Sequence, residues 1–314
     1  MNNSNLPASN GPQKELLLAY AGLITICIVW GTTFMALRIA VLHFPPFLFT
    51  AIRQVLAGSL LIFFTFLLNK KVRLQNIFQQ SIAGFFMITM GNGLVAWGEL
   101  FVPSGIAAII CSLLPLVVIT INIITRSDLS PKPQFWFGTL LGFGGIVLIF
   151  SDNLKGFSNS NYNAGIIAIF AAVLCWAGGS IWVNKQRNPG NAFINAGLQM
   201  FFGGLWCLPL SLIWDDFTTI SWSPEVFYPM LYLIFIGSIL AYASYSYSLR
   251  KLPMNIISLY AYVNPIVAIF LGWMVLNEPL NLKIGLAIVL TILGIYLANR
   301  SYYNRETWTV KGSK

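Results

Sequence analysis

The chain has 314 residues, of which 57% are hydrophobic and 9% charged, and a formal net charge of +9. Soluble domains are about a quarter charged, and no soluble core of this size could hide so much apolar surface; the composition excludes a soluble globular protein and indicates a polytopic membrane protein. The positive charge would suggest nucleic acid in a soluble chain, but its distribution explains it more simply and no nucleic-acid partner is expected.

Residues 1–16 read as a polar tail. The apolar run that follows is too long for a signal-peptide core and lacks a small-residue cleavage site, so it stays as a membrane anchor. Ten apolar runs of roughly 18 to 25 residues, each able to cross about 30 Å of hydrocarbon, follow in order. They lie near 17–41, 46–68, 80–101, 104–125, 134–151, 164–184, 191–213, 226–249, 253–275 and 283–299. They are continuous rather than alternating, which favours helices over a barrel. Residues 152–163 form a linker between two halves, 17–151 and 164–299, and 300–314 form a second tail.

Basic residues set the orientation. Fourteen of the eighteen Lys and Arg fall in the tails and in the loops on the N-terminal side; Lys155 and Lys283 fall opposite, and Arg38 and Arg53 lie within spans. The positive-inside rule therefore places both termini in the cytoplasm of a cell (inner) membrane. Landmarks also recur. Pro103 and Pro253, Pro115 and Pro265, and Asp128 and Glu278 are each 150 positions apart, and Trp30 and Trp176 are 146 apart. The segment before Pro253 carries Arg250-Lys251 where its counterpart before Pro103 has uncharged Phe101-Val102, so equivalent connections face opposite sides. The expected fold is all-α: ten transmembrane helices arranged as two inverted five-helix repeats, an architecture that builds secondary transporters.

Several of these landmarks carry a family resemblance. Val29-Trp30-Gly31-Thr32-Thr33-Phe34, Arg53, Pro115, Gly138 to Gly145 and, in the sixth span, Cys175-Trp176-Ala177 resemble segments of an EamA domain. Gly237 to Tyr242 and Tyr260-Ala261-Tyr262-Val263-Asn264-Pro265 with Glu278 resemble a second. The chain thus resembles the EamA family of the drug/metabolite transporter superfamily, and within it the YedA-like inner-membrane transporters. The resemblance implies ten helices around a central cavity and alternating access, and leaves the solute open among amino acids, metabolites and drug-like compounds.

Charge inside a bilayer costs at least about 2.5–3.5 kcal/mol unless it finds a partner or water, so Arg38, Arg53 and Glu99 stand out. One reading has Arg38 snorkelling to the outer interface and Glu99 solvated there. The other pairs Arg53 with Glu99 at the outer mouth of a cavity, with Glu99 and Arg38 as candidates for proton coupling. Trp30 and Trp176 sit at mid-span, where an indole either packs or offers its face to a ligand. Tyr242 and Tyr245 share a helix face, as do Tyr260 and Asn264; with Tyr247, Tyr262, Asn92 and Gln199 they are expected to turn inward, as helix glue or as a binding surface. Pro115 and Pro265 are either hinges or static kinks. The glycine pattern of Gly138 and Gly142 permits close helix contact, and the oligomeric state stays open.

Absences narrow the chemistry further. His43 is the only histidine, and the four cysteines lie inside apolar runs, so neither a metal cluster nor a disulfide framework is expected. No nucleotide-binding or hydrolase motif occurs; no cofactor and no enzymatic activity are expected. A secondary transporter exporting a small organic solute is the leading reading, with a passive channel or a lipid scramblase as the rival.

Overall fold

The computed structural model describes residues 11–67, 74–125, 132–150, 160–185, 191–252, 254–257 and 259–309, and every regular element among them is helical. In chain order these are α1 (Gly11–Val41), α2 (Pro46–Leu67), α3 (Leu74–Gly84), a π segment (Phe85–Asn92), α4 (Gly93–Gly98), α5 (Ser104–Cys111), α6 (Leu114–Thr125) and α7 (Pro133–Phe150). Then come α8 (Ser160–Asn184), α9 (Ala192–Trp214), a 3-10 turn (Phe217–Thr219), α10 (Pro224–Tyr232), a second π segment (Leu233–Leu240), α11 (Ala241–Lys251), α12 (Met254–Ile257), α13 (Tyr260–Leu276) and α14 (Leu282–Thr309). Asp128, Pro253 and residues 152–159 of the expected linker lie outside the described residues. Residues 160–163, also assigned to the linker, open α8.

Eight helices among the described residues are long and apolar enough to cross a membrane. The count of ten expected from the apolar runs is not reached among the described residues; α13, at 17 residues, is a shorter apolar helix. Most helix ends fall within a few residues of the apolar runs. The exceptions are Gly11, Leu74 and Thr309, where a helix continues past its apolar stretch as polar backbone that hydropathy does not mark. The molecule's surface is itself apolar: Leu17, Phe78, Leu140, Leu212, Ile213 and Leu282 are each at least 70% exposed. Water would not tolerate such a surface, whereas lipid does. This is a multi-pass membrane protein.

Glycines permit the closest helix crossings. A Cβ on Gly58 of α2 would lie 2.5 Å from Phe201 N and 2.7 Å from Gly197 O on α9. A Cβ on Gly138 of α7 would lie 2.7 Å from Gly294 O on α14. In each pair the backbones meet with almost nothing between them, the small-residue packing of membrane helices. Elsewhere α1 lies against α11 and α13, while α8 lies against the first π segment, α4, α5 and α6.

Polar ties fasten the helix ends. Glu278 follows Asn277, a left-handed residue (φ 54°) that caps α13, and its carboxylate accepts from Ser104 N (2.7 Å) and Gly105 N (3.2 Å) at the start of α5. Gly272 leaves the room for that carboxylate, since a side chain there would collide with it. Asp215, just past α9, accepts from Leu48 N (2.8 Å) and Phe47 N (3.2 Å) at the start of α2. Both carboxylates satisfy amides that a helix N-terminus leaves unpaired. At the other end of the molecule Lys251 Nζ meets Glu15 Oε2 at 2.7 Å and Ser248 Oγ donates to Ala19 O at 2.8 Å.

Candidate functional site

Two polar assemblies interrupt the apolar interior. The first is aromatic and sits between α1, α11 and α13. Trp30 falls near the middle of the apolar stretch Gln13–Val41. Its ring lies 5.0 Å from that of Tyr260, edge-on at 81°, and 5.3 Å from that of Tyr245. Tyr245 also meets Tyr242 and Tyr260 at 6.2 Å, so four rings form one continuous set. Tyr242 and Tyr245 are deep in the bundle yet keep accessible surface.

Hydrogen bonds hold the rim of this set. The Asn264 amide nitrogen donates to Cys27 O and to Tyr260 O, both at 3.0 Å, tying α13 to α1 one residue ahead of Pro265. Gln199 Nε2 donates to Gln80 Oε1 at 2.6 Å, and the Tyr242 hydroxyl lies 3.4 Å from Gln199 Oε1. A chain of polar groups thus runs from α3 through α9 to α11. Tyr232 and Thr32 share a short hydroxyl contact nearer the other end of α1.

The remaining expected residues lie elsewhere. Trp176 packs on the first π segment, where a Cβ on Gly91 would lie 2.7 Å from its ring. It does not join the aromatic set, so its counterpart position to Trp30 does not bring the two indoles into one group. Asn92 ends that π segment and is half-buried. The Tyr262 hydroxyl accepts from Asn299 Nδ2 at 2.9 Å, gluing α13 to α14. The Tyr247 hydroxyl reaches Glu15 O at 3.5 Å, a marginal contact. The two prolines differ. The helix breaks at residues 112–113, leaving Pro115 in the first turn of α6, whereas Pro265 is buried within an unbroken α13.

The second assembly is charged. Glu99 is 0% exposed and neither carboxylate oxygen has a hydrogen-bond partner. Arg53 is 7% exposed with its Nε unpaired, and Nη1 of half-buried Arg38 is unpaired too. The field at Glu99 comes first from Arg38, then from Glu278, then from Arg53. Both earlier readings need correction. Glu99 is not solvated at an outer surface, and neither of its oxygens closes an ion pair with Arg53. Arg38 does not snorkel free of the protein, since one guanidinium nitrogen is enclosed. Helix rotation decides this, and spacing along a helix does not reveal it.

Outside the spans, burial pushes the Asp215 carboxyl up from the ordinary range, against the pull of the Leu48 and Phe47 amides. Thr218 hydrogen bonds hold neighbouring, exposed Asp216 below it. Among the described residues no group of three His, Cys, Asp or Glu is placed to hold a metal ion. Neither π segment was visible in the sequence. Both replace α-geometry in the middle of a span and contain no proline themselves, and such insertions gather at functional sites.

Comparison with known proteins decides the family. The family model for EamA-like transporters matches residues 17–151 and 163–300. The chain belongs to the EamA-like transporter family. It is 31% identical over 294 residues to the uncharacterized inner-membrane transporter YedA of Escherichia coli (strain K12), covering 90% of this chain and 94% of that one. It is 28% identical over 259 residues to the protein PecM of Dickeya dadantii (81% and 82% covered), and 22% identical over 289 residues to the uncharacterized transporter YoaV of Bacillus subtilis (91% and 98% covered). One crystal structure superposes with a TM-score of 0.62 over 91% of this chain and 97% of that one, at 16% identity, a likeness of fold alone. A general transporter role follows from the family; the solute does not.

Proposed function

We propose that this EamA-family member is a secondary active transporter that exports a small, weakly charged, amphipathic organic solute across the inner membrane by alternating access. The observation that carries the reading is the aromatic set of Trp30, Tyr242, Tyr245 and Tyr260. Tyr242 and Tyr245, enclosed by protein yet retaining accessible surface, support a set of rings turned to an internal space rather than to lipid. Flat rings edged by hydroxyls and by the Asn264 and Gln199 amides suit a solute with one apolar face and a few polar groups. Arg53 and Asn92 from the first half of the chain, and Trp176 from the second, would also meet that solute.

The same proposal includes ten spans in two inverted repeats, with α7 and α13 crossing alongside the eight longer helices. Supporting it, α7 pairs with α14 and α2 with α9, so equivalent members of the two halves meet each other. Likewise α1 packs on α11 and α13 as α8 packs on α4 and α5. The two π segments begin at Phe85 and Leu233, 148 positions apart, close to the spacing of the sequence landmarks. Pro115 and Pro265 are then hinges, one at a helix break and one within a helix. Both termini face the cytoplasm, and the energy comes from gradients of solute or ions.

A thermal-shift screen of purified protein against amino acids, metabolites and amphipathic drugs tests the site. A solute bound only by the folded protein raises Tm, by linkage. That rise should vanish in Trp30→Ala. A ligand that stabilises wild type and Trp30→Ala equally would place its site elsewhere.

A further inference from the structure

From the burial of Glu99 and the unpaired groups around it, we infer that Glu99 is the proton-binding site that couples transport, with Arg38 as its exchangeable counter-ion. This rests on the carrier reading above and adds the identity of the driving ion.

A carboxyl group with both oxygens enclosed and unbonded is an unstable arrangement for a permanent anion. Two cations whose charges act on Glu99 also hold enclosed, unpaired donors, Arg38 Nη1 and Arg53 Nε. Cationic donors and a carboxylate left unsatisfied, without closing on each other, are what a polar chamber would leave if its pairing were set by something that comes and goes. The charged and titratable groups facing Glu99 are Arg38 on α1, Arg53 on α2, Cys111 on α5 and Glu278 beyond α13. Glu278 is already engaged by the Ser104 and Gly105 amides, so its carboxylate has a structural role. Glu99 has no such engagement, which leaves it free to exchange.

The exchange couples a proton at Glu99 to the passage of the solute. When the chamber opens outward, a proton from external water adds to the Glu99 carboxylate and forms a neutral carboxylic acid; no bond other than this O–H changes. When the chamber opens inward, the proton leaves to cytoplasmic water and the carboxylate draws the Arg38 guanidinium to it. Arg38 and Trp30 are eight residues apart on α1, about 12 Å along the axis and on one stripe of the helix. A shift of α1 that brings Arg38 to Glu99 therefore also moves Trp30 against Tyr260. That shared helix links the proton site to the aromatic site.

Infrared spectroscopy of the purified protein tests this without knowing the solute. Wild type should show a protonated-carboxyl C=O band that titrates with pH, is lost in Glu99→Gln and persists in Glu278→Gln. If wild type shows no titrating carboxyl band, or if Glu99→Gln leaves that band intact, the inference is wrong even though the carrier reading stands. Proteoliposomes loaded with the solute from the thermal-shift screen give the second arm. Glu99→Gln should retain solute exchange at equal pH and lose at least tenfold of the accumulation driven by a pH gradient. Undiminished gradient-driven accumulation by this variant overturns the inference. Absence of saturable exchange in wild type would instead overturn the carrier reading.

Discussion

Trp30 meets Tyr260 edge-on, with ring centroids 5.0 Å apart and planes at 81°. This contact joins the middle of α1 to the start of α13, and the neighbouring tie from Asn264 to Cys27 O locks the same two helices. An edge-to-face pair contributes about 0.5–1.5 kcal/mol beyond the area it buries, so Trp30 has a packing role as well as an exposed face. The two roles separate by substitution. Trp30→Phe should keep most of the thermal stability and raise the solute KM at least several-fold. Trp30→Ala should lose transport and lower Tm. Wild-type KM in Trp30→Phe, measured at matched expression, would assign the indole to packing alone.

The Gly58 crossing gives a purely structural prediction. Gly58→Ala forces α2 away from α9, because a Cβ there meets Phe201 N and Gly197 O. Overpacking of this kind costs about 1–3 kcal/mol and should lower Tm in detergent. Gly178 on α8 has nothing within 4 Å of an added Cβ. Gly178→Ala should leave Tm unchanged or slightly raised, since alanine favours helix over glycine by roughly 1 kcal/mol. Equal losses for both variants would contradict the packing described.

How much of this was legible in the sequence varies residue by residue. Eight of the ten expected spans were, because about 20 apolar residues in a row leave few alternatives. The inward turn of Tyr242 and Tyr260 followed from their polar groups, which hydrocarbon would leave unpaired. Tyr262 belongs to the same cluster in sequence but points to Asn299, since a ring two residues on from Tyr260 faces another side of the helix. The Trp30 and Trp176 pairing misled for a related reason: matched positions in two halves share a depth, while their neighbours are set by each half's own side chains. Trp30 finds tyrosines, and Trp176 finds Gly91. The isolation of Glu99 depends on the rotation of three helices and could not be read from spacing.

Asp215 and Asp216 should respond to pH with opposite signs. The folded pKa of Asp215 is raised, so the folded state holds its proton more tightly than the unfolded chain does. Its contribution to stability therefore falls as pH rises from the unfolded to the folded pKa. The pKa of Asp216 is lowered; its contribution is present above the unfolded pKa and lost as pH falls through the folded one. Across the acidic range, Asp215→Asn should steepen the loss of Tm on acidification and Asp216→Asn should flatten it. The same direction of change in both variants would show that these environments are misassigned.

Threading is tested by labelling. With the four native cysteines replaced, a cysteine at Asp216, which is exposed beyond α9, should react with an impermeant thiol reagent in intact cells. One at Lys185, exposed at the end of α8, should react only after the membrane is opened. Labelling at Lys185 from outside would reverse the orientation that the basic residues indicate.

Counterflow in proteoliposomes tests the central claim most directly. Vesicles containing the wild-type protein and preloaded with the unlabelled solute should transiently concentrate the labelled solute from outside, with a rate that saturates. Trp30→Ala vesicles should not. A flux that rises linearly with solute concentration and shows no overshoot would mean that the chain forms a passive pathway and not an alternating-access carrier.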